Sequence, residues 1–170
     1  ALCGESEARL IREKGNQFED MNDKEFSSVV STARAQTDFL SSPQIRDSLS
    51  ETTFRFEEMQ TDEDGMSVFL CLPAESLSDY LRWLRLMIIS AQTELVRLSG
   101  KERKNDHPTL MMLEEAPRLG KMDAIDEGLS LHRGYGIQYM VVAQSFSQLK
   151  SAYGEDTATN ILENCKLKLM

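Results

Sequence analysis

The sequence predicts an α/β fold in which parallel strands alternate with helices, preceded by a helical and polar segment. Compact apolar runs alternate with stretches of helical periodicity in the second part of the chain, a pattern typical of a mostly parallel sheet flanked by helices. The first part is more polar and largely helical in its spacing. We therefore divide the chain into residues 1–60 and residues 61–170.

Helices dominate the first part. A short helix is predicted at 7–14, and Asn22 with Glu25 three residues later forms a capping pair for a second one. Apolar residues at helical spacing continue that helix until Pro43, which begins a short helical turn to about Leu49.

A short strand is predicted where Phe54 and Phe56 flank Arg55, and residues 61–65 are acidic and rich in turn formers. The apolar run 67–72, stopped by Pro73, then predicts a buried strand.

The longest helix is predicted to follow, with Ser76 and Asp79 as its capping pair and Gly100 at its end. Its inner stripe repeats at helical spacing as Leu77, Leu81, Leu84, Ile88, Ala91, Leu95 and Leu98.

The remaining elements alternate. Strands are predicted at 109–113 and 137–143, with a helix from about Met122 to Arg133 between them. A helical stretch covers 146–165, and 167–170 predicts the start of a further strand. Because the two ends interrupt such elements, we expect the chain to be a piece of a longer protein.

Composition excludes several classes of protein. With a net charge of −9, the chain does not suit a sequence-independent nucleic-acid surface along its whole length. No apolar run approaches the roughly 20 residues of a membrane helix, so we expect a soluble, cytoplasmic segment. Three widely spaced cysteines favour free thiols, and we expect Cys71 and Cys165 to pack in apolar surroundings.

Two adjacent carboxylates end the predicted strand at 109–113. Open parallel sheets bind ligands at the carboxyl ends of their strands. Glu114 is the candidate for Mg²⁺, directly or through water, and Glu115 is the candidate general base or water-positioning group. Gln144 ends the neighbouring strand, where its amide can hydrogen-bond a γ-phosphate or the attacking water.

Arg133 precedes that neighbouring strand and therefore lies at the opposite end from Gln144. Its planar, permanently charged side chain suits an arginine finger that is supplied across a subunit interface.

Simpler explanations exist for each of these residues. Glu114 and Glu115 suit a solvated strand end, Gln144 an ordinary turn, and Arg133 a cation that is favoured at a helix C-terminus.

In order and spacing, these residues resemble the type IV coupling proteins, the conjugative DNA-transfer ATPases of type IV secretion systems. The resemblance rests on Leu113-Glu114-Glu115-Ala116-Pro117-Arg118-Leu119-Gly120-Lys121-Met122, Arg133-Gly134-Tyr135-Gly136, Ala143-Gln144-Ser145-Phe146-Ser147-Gln148-Leu149, Tyr153-Gly154-Glu155 and Asn164-Cys165.

The resemblance implies part of a RecA-like P-loop NTPase domain at 61–170, the Walker B half without Walker A, and the end of an all-α insertion with a connecting segment at 1–60. It implies an ATPase that uses ATP and Mg²⁺ and assembles as a hexamer at the cytoplasmic face of the bacterial inner membrane. The implied partners are single-stranded transfer DNA, a relaxase and other secretion-system proteins. Glu115 matches the catalytic Walker B glutamate, Gln144 the glutamine of the third motif, and Arg133 the arginine that acts in trans.

Two departures from the family pattern matter. The family usually has Asp where this chain has Glu114, and this chain contains no Gly-x-x-x-x-Gly-Lys-Ser/Thr phosphate loop. We therefore expect this chain alone to be inactive. A related secretion or DNA-pumping ATPase, and a non-catalytic substrate-docking module with a degraded site, stay open as alternatives.

Overall fold

A computed structural model describes residues 15, 16, 18, 21–98 and 107–168. The chain forms two compact units, residues 1–51 and 52–170. Among the described residues, no helix is both long and apolar enough to cross a membrane.

The first unit contains helices α1 (Asp23–Thr37) and α2 (Pro43–Ser48), joined by a 3₁₀ turn at Asp38–Ser41. The predicted capping pair is confirmed, because the Asn22 side chain accepts a hydrogen bond from the Glu25 backbone N–H at 3.0 Å. Ser42 caps α2, and Pro43 occupies its first turn. No residue of α1 is buried. The helix predicted at 7–14 lies outside the described residues.

The second unit carries the sheet. Its elements are α3 (Glu58–Thr61), α4 (Leu77–Arg97), β1 (Thr109–Leu113), α5 (Asp123–Leu131), β2 (Ile137–Val141), α6 (Phe146–Tyr153) and α7 (Glu155–Asn164), with 3₁₀ turns at Ala74–Ser76, Ala116–Leu119 and His132–Tyr135.

The two strands pair in parallel, with Thr109 opposite Ile137 and Leu113 opposite Val141. This confirms the predicted α/β class and is compatible with part of a P-loop NTPase domain. The pairing continues past the strand ends, where Val142 N–H donates to Leu113 C=O and Ala116 N–H donates to Val142 C=O, both at 3.0 Å. The chain segments that follow β1 and β2 are therefore held side by side.

The main core lies between the sheet, α4 and α5. Its buried members are Ile88, Leu113, Ala116, Leu119, Met122 and Ile125. Three of these, Ala116, Leu119 and Met122, belong to the segment 116–122 after the carboxylates, so burial fixes the path of that segment. Within the described residues one face of the sheet is covered, while Leu110, Met112 and Met140 on the other face are exposed.

A second core cluster joins α6 and α7 through Leu149, Tyr153, Ala158 and Ile161. The predicted helical stretch at 146–165 is thus two helices. The break occurs at Gly154, whose φ of +85° is unfavourable for residues with a side chain.

Three predictions for 54–79 are wrong. Residues 67–72 form no strand, and Phe69 is 82% exposed, because no described segment pairs with this run and a strand needs a hydrogen-bonded neighbour. Phe54 and Phe56 also form no strand, and their rings instead pack edge to face. Ser76 does not cap α4 through its side chain, because a 3₁₀ turn leads directly into the helix.

Other differences are small. The helix after Met122 ends at Leu131 and continues as a 3₁₀ turn, and β2 ends at Val141. Residues 167 and 168 form no strand, and 169–170 lie outside the described residues. Cys71 is exposed rather than packed, whereas Cys165 is partly buried and burial raises the pKa of its thiol.

A polar network crosses the core between α4, α5 and β2. Gln92 donates to the Tyr139 hydroxyl at 2.9 Å and to the Ala124 carbonyl at 3.2 Å. The Tyr139 hydroxyl also contacts His132 Nδ1 at 2.7 Å. Because a Cβ at position 128 would lie 2.5 Å from this hydroxyl, Gly128 allows the tyrosine to reach both partners.

We predict that Gly128→Ala destabilises the protein by about 1–2 kcal/mol, since overpacking exceeds the gain in helix propensity. Gly134→Ala is the matched control, because a Cβ at Gly134 meets nothing within 4 Å. Thermal unfolding of the two variants tests this, and equal stability would show that Tyr139 does not constrain position 128.

Candidate functional site

The site is built where β1 and β2 end. The backbone pairing beyond the strands brings Glu115 and Gln144 together, and Gln144 Nε2 donates to Glu115 Oε1 at 2.8 Å. The sequence predicted both residues as site members at neighbouring strand ends. The structure places them in direct contact, while their catalytic roles stay a prediction.

Glu115 has an unusual backbone. With φ 50° and ψ 38° it is in the left-handed region, and it is the one non-glycine residue with positive φ in the described ranges. Such a conformation costs roughly 1–2 kcal/mol for a residue with a side chain. Strain of this kind clusters at functional sites, where the surrounding structure enforces it.

The strain has an identifiable source. Ala116 N–H is bonded to Val142 and the Ala116 side chain is buried, so the chain must turn sharply within Glu114 and Glu115. The left-handed residue makes that turn and presents the Glu115 carboxylate to a cleft.

The cleft has a volume of about 360 Å³. Its lining includes Glu115, Arg118, Gly120, Gln144, Gln148 and Ser151. Arg118 Nε lies 3.7 Å from Glu115 Oε2, with both side chains partly exposed. An exposed pair at this distance contributes at most about 1 kcal/mol, so the Glu115 oxygen near Arg118 is only weakly held.

Gln148 completes a chain of amides. Its Nε2 donates to Gln144 Oε1 at 3.2 Å. Ser145 is the N-cap of α6, and its hydroxyl accepts from the Gln148 backbone N–H at 3.3 Å. The first turn of α6 thus fixes Gln148 beside Gln144.

Glu114 differs from its neighbour. It is exposed and is not among the residues that line the cleft. No cluster of three or more His, Cys, Asp or Glu side chains suited to a metal ion occurs in the described part of the chain. The metal role predicted for Glu114 stays a prediction.

Arg133 lies at the other end of the sheet, exposed on the 3₁₀ turn before β2. The five residues of β2 separate it from the Gln144 end by roughly 17 Å. The structure therefore does not bring Arg133 to Glu115 and Gln144, as the sequence predicted from its position before the strand.

His132 anchors the turn that carries Arg133. Burial lowers the pKa of His132, and the Glu127 carboxylate partly offsets this effect. Burial also raises the pKa of Tyr139 to about 12, against the effect of the hydrogen bond from Gln92. A neutral His132 can accept a hydrogen bond from the Tyr139 hydroxyl at Nδ1, whereas a protonated ring cannot.

Sequence reasoning missed Gln148 and Arg118 as members of the cleft. The Ser145-x-x-Gln148 spacing of a capping box was the available signal for Gln148. Arg118 carries no signal of its own beyond its place in the run that follows the carboxylates. The left-handed backbone of Glu115 had no signal, since neither Gly nor Asn occupies the position.

Comparison with known proteins identifies a family. The model of the family described as "Type IV secretory system Conjugative DNA transfer" matches residues 3–170. "Conjugal transfer protein TraG" of Escherichia coli is 29% identical over 169 residues, covering 91% of this chain and 26% of that protein. "Type IV secretion system-coupling protein VirD4" of Bartonella quintana is 32% identical over 156 residues, covering 92% and 24%. The chain spans about a quarter of the length of these relatives.

The strain at position 115 predicts that a Gly variant is more stable than an Ala variant, the reverse of the usual order. Both Glu115→Gly and Glu115→Ala remove the side chain, but only Gly relieves the left-handed penalty, so we expect the Gly variant to be more stable by about 1 kcal/mol. At an unstrained position Ala is the more stable residue. Chemical denaturation of both variants tests this, and a more stable Ala variant would contradict the strain.

The lowered pKa of His132 predicts a pH dependence of stability. The unfolded chain, with a histidine pKa of about 6.5, binds the proton more readily than the folded one. The contribution of the neutral His132 to the free energy of unfolding is therefore complete above about pH 6.5, and it decreases as pH falls through the pKa of the folded protein.

His132→Phe keeps a ring but removes the titrating group. Melting temperatures measured from about pH 8 to about pH 5 should fall less steeply for this variant than for the wild type. Parallel curves would show that His132 contributes nothing to the dependence.

Proposed function

The chain belongs to the type IV secretory system conjugative DNA transfer family, and from this premise we propose that it supplies the Walker B half of an ATPase site in a type IV coupling protein. ATP hydrolysis there would serve the transfer of DNA and protein substrates through the secretion channel. The relatives named for conjugal transfer and for coupling support this role.

One observation carries the catalytic part of the proposal: a strained carboxylate at a strand end, hydrogen-bonded by an amide from the neighbouring strand end. A general base must lie within hydrogen-bond distance of the proton that it removes. Glu115 faces a cleft with one oxygen only weakly held. It would therefore orient the attacking water and accept its proton, while Gln144 would hold the carboxylate and contact the γ-phosphate or the water.

Mg²⁺ fits the donor set. This ion binds through one or two carboxylates together with water and substrate phosphates, rather than through a closed protein cage. Glu114 and Glu115 offer two adjacent carboxylates of this kind. We propose that Glu114, which is exposed and outside the cleft lining, holds the ion through water, since direct binding would need its carboxylate in the cleft. When bound, Mg²⁺ would neutralise charge on the phosphate oxygens of ATP.

Arg133 lies at the far end of β2 from its own cleft. If Arg133 takes part in hydrolysis, it must therefore act in the cleft of an adjacent subunit. We propose a ring, a hexamer in the complete protein, at the cytoplasmic face of the inner membrane. Single-stranded DNA, a relaxase and other secretion-system proteins would be its partners.

We predict that Glu115→Gln in the full-length protein lowers kcat for ATP hydrolysis at least about 100-fold, since general-base catalysis contributes 10²–10⁴-fold. Nucleotide binding should persist, because the amide is nearly isosteric with the carboxylate. Phosphate release and the binding of a fluorescent nucleotide measure the two quantities.

Glu163→Gln is the control, since it makes the same exchange at an exposed position of α7. Unchanged hydrolysis in Glu115→Gln would remove the assigned role. A wild-type protein that binds substrates without hydrolysing ATP would favour the docking module instead.

Arg133→Ala should lower kcat by about 10³-fold in the assembled protein, the lower range for an arginine finger. Mixing this variant with Glu115→Gln should restore part of the activity, because some interfaces then combine an intact arginine with an intact carboxylate. Failure of every mixture to regain activity would argue against action in trans.

A further inference from the structure

We infer that Gln148 is a positioning residue for the cleft, and that its hydrogen bond to the Gln144 carbonyl holds the Gln144 amide in place with Nε2 facing Glu115. This inference rests on the proposed function. Its basis is the chain of three side chains, Gln148 to Gln144 to Glu115, with donor-to-acceptor distances of 3.2 and 2.8 Å.

The carboxylate dictates the direction of this chain. An ionised Glu115 can only accept hydrogen bonds, so the Gln144 group that faces it must be the NH₂. The Gln144 carbonyl then faces away and needs a donor. Gln148 Nε2 supplies that donor, and the Ser145 cap of α6 holds the Gln148 backbone.

Without Gln148, the Gln144 carbonyl loses its donor, and only the hydrogen bond to Glu115 then holds the Gln144 amide. A flip by half a turn would direct the carbonyl oxygen at Glu115, which repels it, so the expected consequence is a Gln144 side chain that leaves Glu115 more often. Gln148 thus acts on Glu115 through Gln144, without touching the reacting atoms.

The decisive variant reverses the hydrogen-bond polarity at position 148. In Gln148→Glu, a carboxylate would accept from Gln144 Nε2 and draw that NH₂ away from Glu115. Gln148→Ala removes the donor but offers no competing acceptor. In the full-length protein we expect kcat to fall about five-fold for Ala, the scale of one neutral hydrogen bond, and at least about twenty-fold for Glu, the scale of a charge-assisted one. KM for ATP should stay within about two-fold for both, since the effect falls on the reacting state.

A pH profile separates positioning from a structural role. When the carboxyl group introduced by Gln148→Glu is protonated, its O–H can donate to Gln144 as the native amide does. The ordinary pKa of a glutamate is about 4.3, so the introduced carboxyl takes up its proton as the pH approaches that value. Relative to wild type at each pH, Gln148→Glu should therefore recover activity as the pH falls from about 8 to about 5, while Gln148→Ala should not.

Ser147→Glu is the matched control. It adds the same charge on the same turn of α6, at an exposed residue that does not line the cleft, and it should hydrolyse ATP at the wild-type rate with no recovery at low pH.

Each outcome decides the question. A lower kcat for Gln148→Glu than for Gln148→Ala, with recovery at low pH, supports the inference. Wild-type activity in both variants, equal losses without a pH response, or a Glu variant as active as the Ala variant would each overturn it. Glu115→Gln is measured in the same assay. If Glu115→Gln keeps full activity, the proposed function itself fails. If Glu115→Gln loses activity while both Gln148 variants keep it, only the positioning role of Gln148 is rejected.

Discussion

The site depends on two backbone hydrogen bonds that lie beyond the regular strands. Val142 N–H to Leu113 C=O and Ala116 N–H to Val142 C=O hold the segment after β1 against the segment after β2. The first two residues after β1 must then turn within a fixed space, and Glu115 does so in a left-handed conformation. The contact between Glu115 and Gln144 follows from this pairing, since the two residues sit on adjacent, tied segments.

Buried residues that follow the carboxylates stabilise the same arrangement. Ala116, Leu119 and Met122 anchor the turn after the carboxylates in the core against α4 and α5. Arg85 of α4 also donates to the Lys121 carbonyl at 2.7 Å, which holds the exit of that turn. The polar side chains of the site are therefore carried by apolar neighbours that cannot shift without opening the core. An exposed site with weak ion pairs obtains its rigidity in this way.

Sequence patterns predicted the elements that depend on local spacing. The helical stripe of α4, the Asn22 cap and β1 were confirmed because periodicity and capping are local properties. The strand prediction for 67–72 was wrong, since a strand depends on a partner strand that the apolar pattern does not specify. The proximity of Glu115 to Gln144 followed from parallel topology. The strain at Glu115 and the amide chain through Gln148 depend on tertiary contacts. The Ser145 spacing was a sequence signal for Gln148, and the strain had none.

The left-handed backbone at position 115 sets two demands against each other. The fold favours Gly or Asn there, whereas the proposed role as proton acceptor needs the carboxylate. Genetic drift without selection for that role would thus move this position toward the residues that relax the backbone. Among related chains, Gly or Asn at the equivalent of Glu115 would indicate a domain that kept the fold without the proposed reaction, and a retained Glu would indicate that selection still maintains the strain.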